Sequence, residues 1–305
     1  MTRPTNATPQ GRAYLAVRRS AKIAGRTTAE YFRLYALEGF LLRLSHSEHR
    51  SRFVLKGGVL LAAYALRRPT ADIDVAALNT SNDVDAVRRY IVDIAGTVLP
   101  SALDDGLVFD LDNVTAEVIR DEDQYSGVRV GIVAHLTRAR ESFHVDVNVG
   151  DPIWPEPAEI ALPRLIEPKP IALRGYPMEM VLAEKLVTAC DKGQANTRWR
   201  DFGDVYMLTG RYRFVAAEVT AALSAVAEHR DISLRSLGKE LDGYADVGQE
   251  GWTRWLARMQ LTELLPGAFA HVLNAVIAFA DPVLTDSISG STGWDPARRR
   301  WNHSS

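Results

Sequence analysis

Residues 53–61 read Phe53-Val54-Leu55-Lys56-Gly57-Gly58-Val59-Leu60-Leu61, and after the turn Arg67-Arg68-Pro69-Thr70 the chain continues Ala71-Asp72-Ile73-Asp74-Val75-Ala76-Ala77-Leu78. A short apolar run stops at two glycines, Val59–Leu66 reads as a helix, and 71–78 reads as a strand. Consecutive glycines after a strand let the backbone approach a ligand closely. A helix beginning there offers unpaired N–H groups, which suit a phosphate. Asp72 and Asp74 lie two apart on the strand, so they share one face while Ile73 and Val75 take the other. Two carboxylates on one face suit Mg²⁺ or Mn²⁺, hard ions that take oxygen ligands.

Upstream, residues 12–45 carry apolar residues at three- and four-residue steps, broken at Gly25-Arg26-Thr27-Thr28, which predicts two helices with Thr27 or Thr28 as an N-cap. Residues 1–11 read as a flexible leader. Downstream, 84–99 is an amphipathic helix, followed by β segments at 107–111, 114–120, 128–135 and 142–149. Seven of the fourteen prolines fall between Pro152 and Pro177. That density forbids long helices and central strands, and the domain boundary is placed there, with 12–165 on one side and 166–282 on the other. The second part is helical in pattern: 178–190, 199–208, 213–229, 233–241 and 251–280, with a break at Pro266-Gly267. Residues 283–305 are rich in Ser and Gly and read as a disordered tail. The expected class is α+β, a mixed sheet with helices followed by a mainly helical domain.

Two further groups carry chemistry. In Phe143-His144-Val145-Asp146-Val147-Asn148-Val149 the alternation puts Phe143 and the valines on a core face, and His144, Asp146 and Asn148 on the other. If this strand lies beside the Asp72/Asp74 strand, Asp146 becomes a third carboxylate at one metal site, where cations would relieve the like-charge repulsion. Alone, Asp146 reads as a solvated edge residue. The helical part holds Glu184-Lys185-Leu186 and Arg198-Trp199-Arg200-Asp201-Phe202-Gly203-Asp204. Asp201 and Asp204 are neighbours on a helix, and Arg200 is four before Asp204, so these two are expected to pair. Lys185 offers a point charge for a triphosphate; the plainer reading is a salt-bridge lattice joining two helices.

In this order — glycine pair, Asp-x-Asp, a later strand Asp, Glu-Lys-Leu, Arg-Asp-x-x-Asp — the sequence resembles the AbiEii/MenT toxins of type IV-like toxin–antitoxin systems. These are nucleotidyltransferases with a DNA-polymerase-β-like fold, and the resemblance covers about residues 30–280. It implies that Lys56, Gly57 and Gly58 receive nucleotide phosphates, with Arg200 and Asp201 as further nucleotide-binding candidates. Asp72 and Asp74 match the metal carboxylates, with Asp146 as the superfamily's third. Lys185 matches a phosphate-contacting lysine, and Asp204 the acid of the second motif, in a helical domain that completes the active site. The chain departs from the pattern at Val59, where the family usually has Ser or Thr in or after the glycine pair. The implied activity is transfer from a nucleoside triphosphate to RNA, above all the tRNA 3′ acceptor end, which blocks translation. A cognate antitoxin is implied as well. The alternatives are transfer to a protein or small-molecule hydroxyl, and a nucleotide- or partner-binding module without catalysis.

Composition bounds these readings. With 36 Lys+Arg against 38 Asp+Glu the net charge is −2, so RNA binding would have to rest on local clusters. Arg18, Arg19 and Lys22 form one and Arg198, left over once Arg200 pairs with Asp204, belongs to another. The arginine-rich, acid-poor start also suits a solvated helix face or a targeting segment. One cysteine, Cys190, excludes an intrachain disulfide framework and a cysteine-rich zinc site. No apolar run reaches the ~18–20 residues of a membrane span, and a cytoplasmic location is expected.

Overall fold

The computed structural model describes residues 4–120 and 126–302, and the chain is α+β. It divides into two compact units. One holds the described residues up to Gly150 together with Ala158–Gly175. The other holds Asp151–Pro157 and the described residues from Tyr176 onward.

In the first unit, α1 (Pro9–Ile23) starts at Thr8, whose hydroxyl accepts from the Gly11 N–H at 3.1 Å. Pro9 sits in the first turn, where its missing N–H costs nothing. The leader expected to reach residue 11 therefore ends by Thr8; the cap was written in Thr8-Pro9. Residues 1–3 lie outside the described residues. α2 (Thr28–His46) is capped by Thr27, which accepts from the Glu30 N–H at 3.2 Å. Phe32, Leu34, Leu37, Phe40, Leu41 and Leu44 are all buried along it. The elements β1 (Phe53–Lys56), α3 (Gly57–Leu60), β2 (Ile73–Ala77), α4 (Val84–Ala95), β3 (Val108–Arg120), β4 (Ser126–Leu136), β5 (Ala139–Val149), β6 (Ala158–Leu162) and β7 (Ile171–Gly175) follow. The helix expected over 59–66 is the single turn α3 followed by a run of turns. The two β segments expected at 107–120 are one strand, β3, with an irregularity between Asp110 and Thr115.

The sheet has the order β3-β4-β5-β2-β1-β7-β6, with β2/β5 and β1/β7 parallel and the other pairs antiparallel. Helices α1, α2 and α4 pack against it. The chain passes between the units at 150/151, 157/158 and 175/176, all at the proline-rich stretch, where the single division expected at 165/166 lay. Its prolines sit between strands, so Ile171–Gly175 is free to pair on both sides, with β1 and β6. Two buried contacts tie that stretch to α2: Arg164 donates to Glu38 at 2.9 Å, and the Leu165 N–H donates to Glu38 at 2.7 Å. A second buried pair, Arg43–Asp105, bonds through both guanidinium arms at 2.7 and 3.1 Å and fixes the entry to β3. Such a pair costs desolvation and repays it through full hydrogen bonding, so it specifies register more than it adds stability.

In the second unit come α5 (Met178–Lys192), α6 (Trp199–Thr209), α7 (Ala216–His229), α8 (Leu237–Glu240), α9 (Tyr244–Met259) and α10 (Phe269–Leu284). Trp199, Phe202, Tyr244, Trp252 and Phe269 form its aromatic centre, with Trp199 stacked on Tyr244 at 5.8 Å between centroids. The tail expected to be disordered from 283 instead begins as the end of α10 and closes in a hairpin, β8 (Gly293–Asp295) and β9 (Arg300–Asn302). Its indoles are the reason. Trp294 is buried at 4.9 Å from Phe279 and donates its N–H to the Thr209 carbonyl. Trp301 stacks on Phe279 at 5.2 Å. Burying rings of this size outweighs the entropy of ordering a short Ser/Gly stretch. Residues 303–305 lie outside the described residues. No helix among the described residues is long and apolar enough to cross a membrane.

Candidate active site

In the first unit the sheet register gathers the carboxylates. β2 and β5 pair in parallel with Asp74 opposite Asp146, as the sequence required for a common site. The register continues across five strands: Lys56, Asp74, Asp146, Arg129 and Glu117 are successive cross-strand partners. Directly opposed residues share a face, so this is one charged row, and Leu55, Val75, Val147 and Val128 form the buried row on the other side. Asp72 flanks β2 on the same side as Asp74, and the His144 ring nitrogen Nδ1 stands 3.3 Å from its Oδ1.

The glycine pair meets this row. Gly57 has φ +66°, in the left-handed region that glycine adopts without strain. A Cβ there would lie 1.9 Å from Asp74 Oδ2, so the space a side chain would need is already filled by the carboxylate. At Gly58 a Cβ would lie 2.8 Å from Thr70 Oγ1. A hydroxyl therefore stands against the glycine pair even though position 59 is Val. Since α3 is one turn, its dipole is small, and the backbone N–H groups of the turn are what it can offer.

Arg129 changes the role of Asp146. Its Nε donates to Asp146 Oδ1 at 2.8 Å and its Nη2 to Oδ2 at 2.7 Å, a fork closed on both oxygens. Among the described residues no group of three or more His, Cys, Asp or Glu side chains could hold a metal ion. Of the expected cluster, the register brings Asp74 and Asp146 side by side, and each oxygen of Asp146 accepts one hydrogen bond from Arg129. Asp72 and Asp74 remain a fit for a divalent cation, two hard oxygen donors beside a turn of free backbone.

In the second unit, Lys185 on α5 donates to Asp201 Oδ1 at 2.7 Å and to Asp204 Oδ2 at 2.9 Å, both on α6. This is the salt-bridge lattice between helices. Asp204 is fully buried and Asp201 nearly so. The pairing of the arginines is the reverse of the expectation. Arg198 is tied, its Nε 2.9 Å from Asp201 Oδ2, while Arg200 is exposed and acts on Asp201 through its charge. A helix begins at Trp199, so Arg198 at the cap folds back onto the first turn instead of pointing away. Burial by itself would raise the Asp201 carboxyl; Lys185, then Arg198, outweigh it and hold the pKa down to about 2. The folded-state value lies below the unfolded one, so the stabilisation is complete above about pH 4 and is lost as pH falls through about 2. Its size is ~2 kcal/mol. In an acid titration followed by tryptophan fluorescence, Asp201→Asn is expected to remove the part of the loss between pH 4 and pH 2.

Arg18, Arg19 and Lys22 lie on the exposed side of α1, opposite buried Ala13, Tyr14, Val17 and Ala21. Reading the residues in order did not single out Arg129. The signal was there in Val128-Arg129-Val130, whose alternation puts the arginine on the polar face once the strand is placed.

Residues 39–275 match a family model described as nucleotidyl transferase AbiEii toxin, type IV TA system. Two solved structures from Helicobacter pylori are similar to the chain. One is of a candidate nucleotidyltransferase, 14% identical, with a TM-score of 0.47 over 83% of this chain and 95% of that one. The other is of JHP933, 13% identical, with a TM-score of 0.46 over 82% and 91%. Among curated proteins no match is found.

Proposed function

Because the chain belongs to the AbiEii family of nucleotidyltransferase toxins, we propose that it transfers a nucleotide from a nucleoside triphosphate to RNA, at the 3′ acceptor end of tRNA, and so blocks translation. The observation that carries this reading is the contact of Asp74 with Gly57, which sets a carboxylate against the only kind of backbone that can come so close. The 3′ hydroxyl attacks the α-phosphorus in line and gives up its proton to water; the new P–O bond forms as the bond to the β-phosphate breaks, and pyrophosphate leaves. Asp72 and Asp74 would hold Mg²⁺ or Mn²⁺, which when bound neutralises charge on the triphosphate. Lys56, Gly57 and Gly58 receive the phosphates through backbone N–H groups and one charge, with Thr70 adding its hydroxyl. Most of the acceleration comes from positioning and charge neutralisation. Lys185, Asp201 and Asp204 form the second motif, with Lys185 assigned to phosphate by likeness to the family. Arg18, Arg19 and Lys22 supply an exposed basic face for RNA, sensitive to salt through counterion release. Arg198 is held by Asp201 and contributes less to RNA than to that acid. A cognate antitoxin completes the system, and the action is cytoplasmic.

The test is incubation of the purified protein with total RNA and each radiolabelled triphosphate in turn. Label is expected in RNA of tRNA size. Asp72→Asn keeps the volume and removes a charge, so it is expected to melt near the wild-type temperature and to lose most transfer. Full transfer by this variant would overturn the metal assignment, and label in protein in place of RNA would overturn the acceptor.

A further inference from the structure

The charged row of the sheet has a member that no motif above accounts for. Arg129 spends Nε and Nη2 on Asp146, and among the described residues Nη1 makes no hydrogen bond. Its side chain is 37% exposed, against 14% for Asp146. It lies on the same face as Asp72 and Asp74, one strand beyond Asp146 in the register. The site would receive a polyanion, yet its face carries Asp72, Asp74, Asp146 and Glu117. In the row the two cations are Lys56, which is buried, and Arg129, which reaches solvent. A guanidinium clamped along one edge keeps its plane fixed and presents the remaining N–H groups in one direction, which is how arginine recognises phosphate.

We propose that Arg129 is a phosphate-oxyanion contact of the nucleotidyl-transfer site and that Asp146 is its positioning residue, not a metal ligand. The inference rests on the nucleotidyltransferase reading of this face. The phosphate has two sources, the triphosphate chain of the nucleotide and the backbone of the RNA, and both present the same oxygens. The charge on Arg129 is stabilised first by its hydrogen bonds to Asp146 and further by Asp72 and Glu117, so it stays cationic in the absence of substrate. Asp146 in turn sits opposite Asp74 without a second uncompensated negative charge.

The experiment measures binding and needs no turnover. Inorganic tripolyphosphate with Mg²⁺ is titrated calorimetrically into the full chain, a tRNA pool is titrated across a salt series, and Mn²⁺ binding is followed by electron paramagnetic resonance. The proteins are wild type, Arg129→Ala, Arg129→Lys, Asp146→Asn and Asp74→Asn, each checked by thermal melting. Arg129→Ala is expected to weaken tripolyphosphate by about 10- to 100-fold. Arg129→Lys, which keeps the charge but loses the fork, falls between. Asp146→Asn is expected to weaken tripolyphosphate several-fold while binding Mn²⁺ as wild type does; Asp74→Asn loses Mn²⁺. If the loss in Arg129→Ala falls on tRNA, with the salt slope reduced by about one contact, the proposal stands with RNA as the source. Affinity for both probes within twofold of wild type in folded Arg129→Ala and Arg129→Lys overturns it. Loss of Mn²⁺ in Asp146→Asn makes Asp146 a ligand and overturns the positioning role. A wild type that binds neither Mn²⁺ nor tripolyphosphate overturns the reading of the whole face, and the assignment of Arg129 with it.

Discussion

Lys185→Ala is expected to destabilise the protein by about 3–5 kcal/mol at neutral pH. The lysine is the shared partner of Asp201 and Asp204, and Asp204 has no exposure to water. Removing it takes the lysine from buried Asp204 and leaves Asp201 to Arg198, and a buried carboxylate that loses a cation either loosens its surroundings or takes up a proton. The second course gives the prediction its signature. Wild-type stability holds steady or falls on going from pH 7 to pH 4.5, whereas the variant is expected to regain part of its loss, since a protonated acid tolerates burial. Urea unfolding at the two pH values measures both numbers. No loss at either pH would mean that the helix pair α5–α6 is held by its apolar contacts and that the ion lattice is incidental; equal losses at both would exclude relief by protonation. Lys185→Met, which keeps the stem, separates lost packing from lost charge.

Gly57→Ala is expected to lower transfer at least 100-fold while costing stability far less. A methyl group at this position would stand 1.9 Å from Asp74 Oδ2 and 2.7 Å from its Cβ, closer than any real contact. Alanine at φ +66° also pays about 1–2 kcal/mol for the left-handed backbone. The strain is relieved most easily by turning the Asp74 side chain away, which removes a proposed metal ligand without touching it in sequence. A misplacement of an ångström in a catalytic group is worth about 100-fold. The check is single-turnover transfer beside a melting curve. Activity within tenfold of wild type would show that Asp74 works in another rotamer.

Much of this was legible in the residues. Period-2 alternation over Phe143–Val149 gave both the strand and its polar face, because that pattern depends on the strand alone. The shared face of Asp72 and Asp74 beside the glycine pair is read from the same period. What the residues did not carry was register. That Asp146 meets Asp74 on one side and Arg129 on the other follows from β5 lying between β2 and β4, a fact of topology. Without it the partnership of Asp146 with Arg129 is not visible. Arg198 and Arg200 were misassigned for a more local reason: the helix begins at Trp199, and helical spacing does not apply to a residue at the cap. The hairpin at the end of the chain was hidden by its Ser and Gly content, although Trp294 and Trp301 were the residues to weigh. The prolines at 152–177 hid the central strand β7, because the strands lie in the gaps between them.

The way the two units share the chain has a practical consequence. The backbone passes from one to the other at 150/151, returns at 157/158 and leaves again at 175/176. Neither unit is a contiguous piece of gene. A clone ending at residue 150 would carry the glycine pair and both aspartates but lack β7, and β1 would be left as a raw edge beside the site, open to aggregation. A clone beginning at Tyr176 would miss the seven residues Asp151–Pro157 that belong with it. A cut at the middle crossing, 157/158, would leave each fragment holding part of both units, so neither fragment would carry a whole unit.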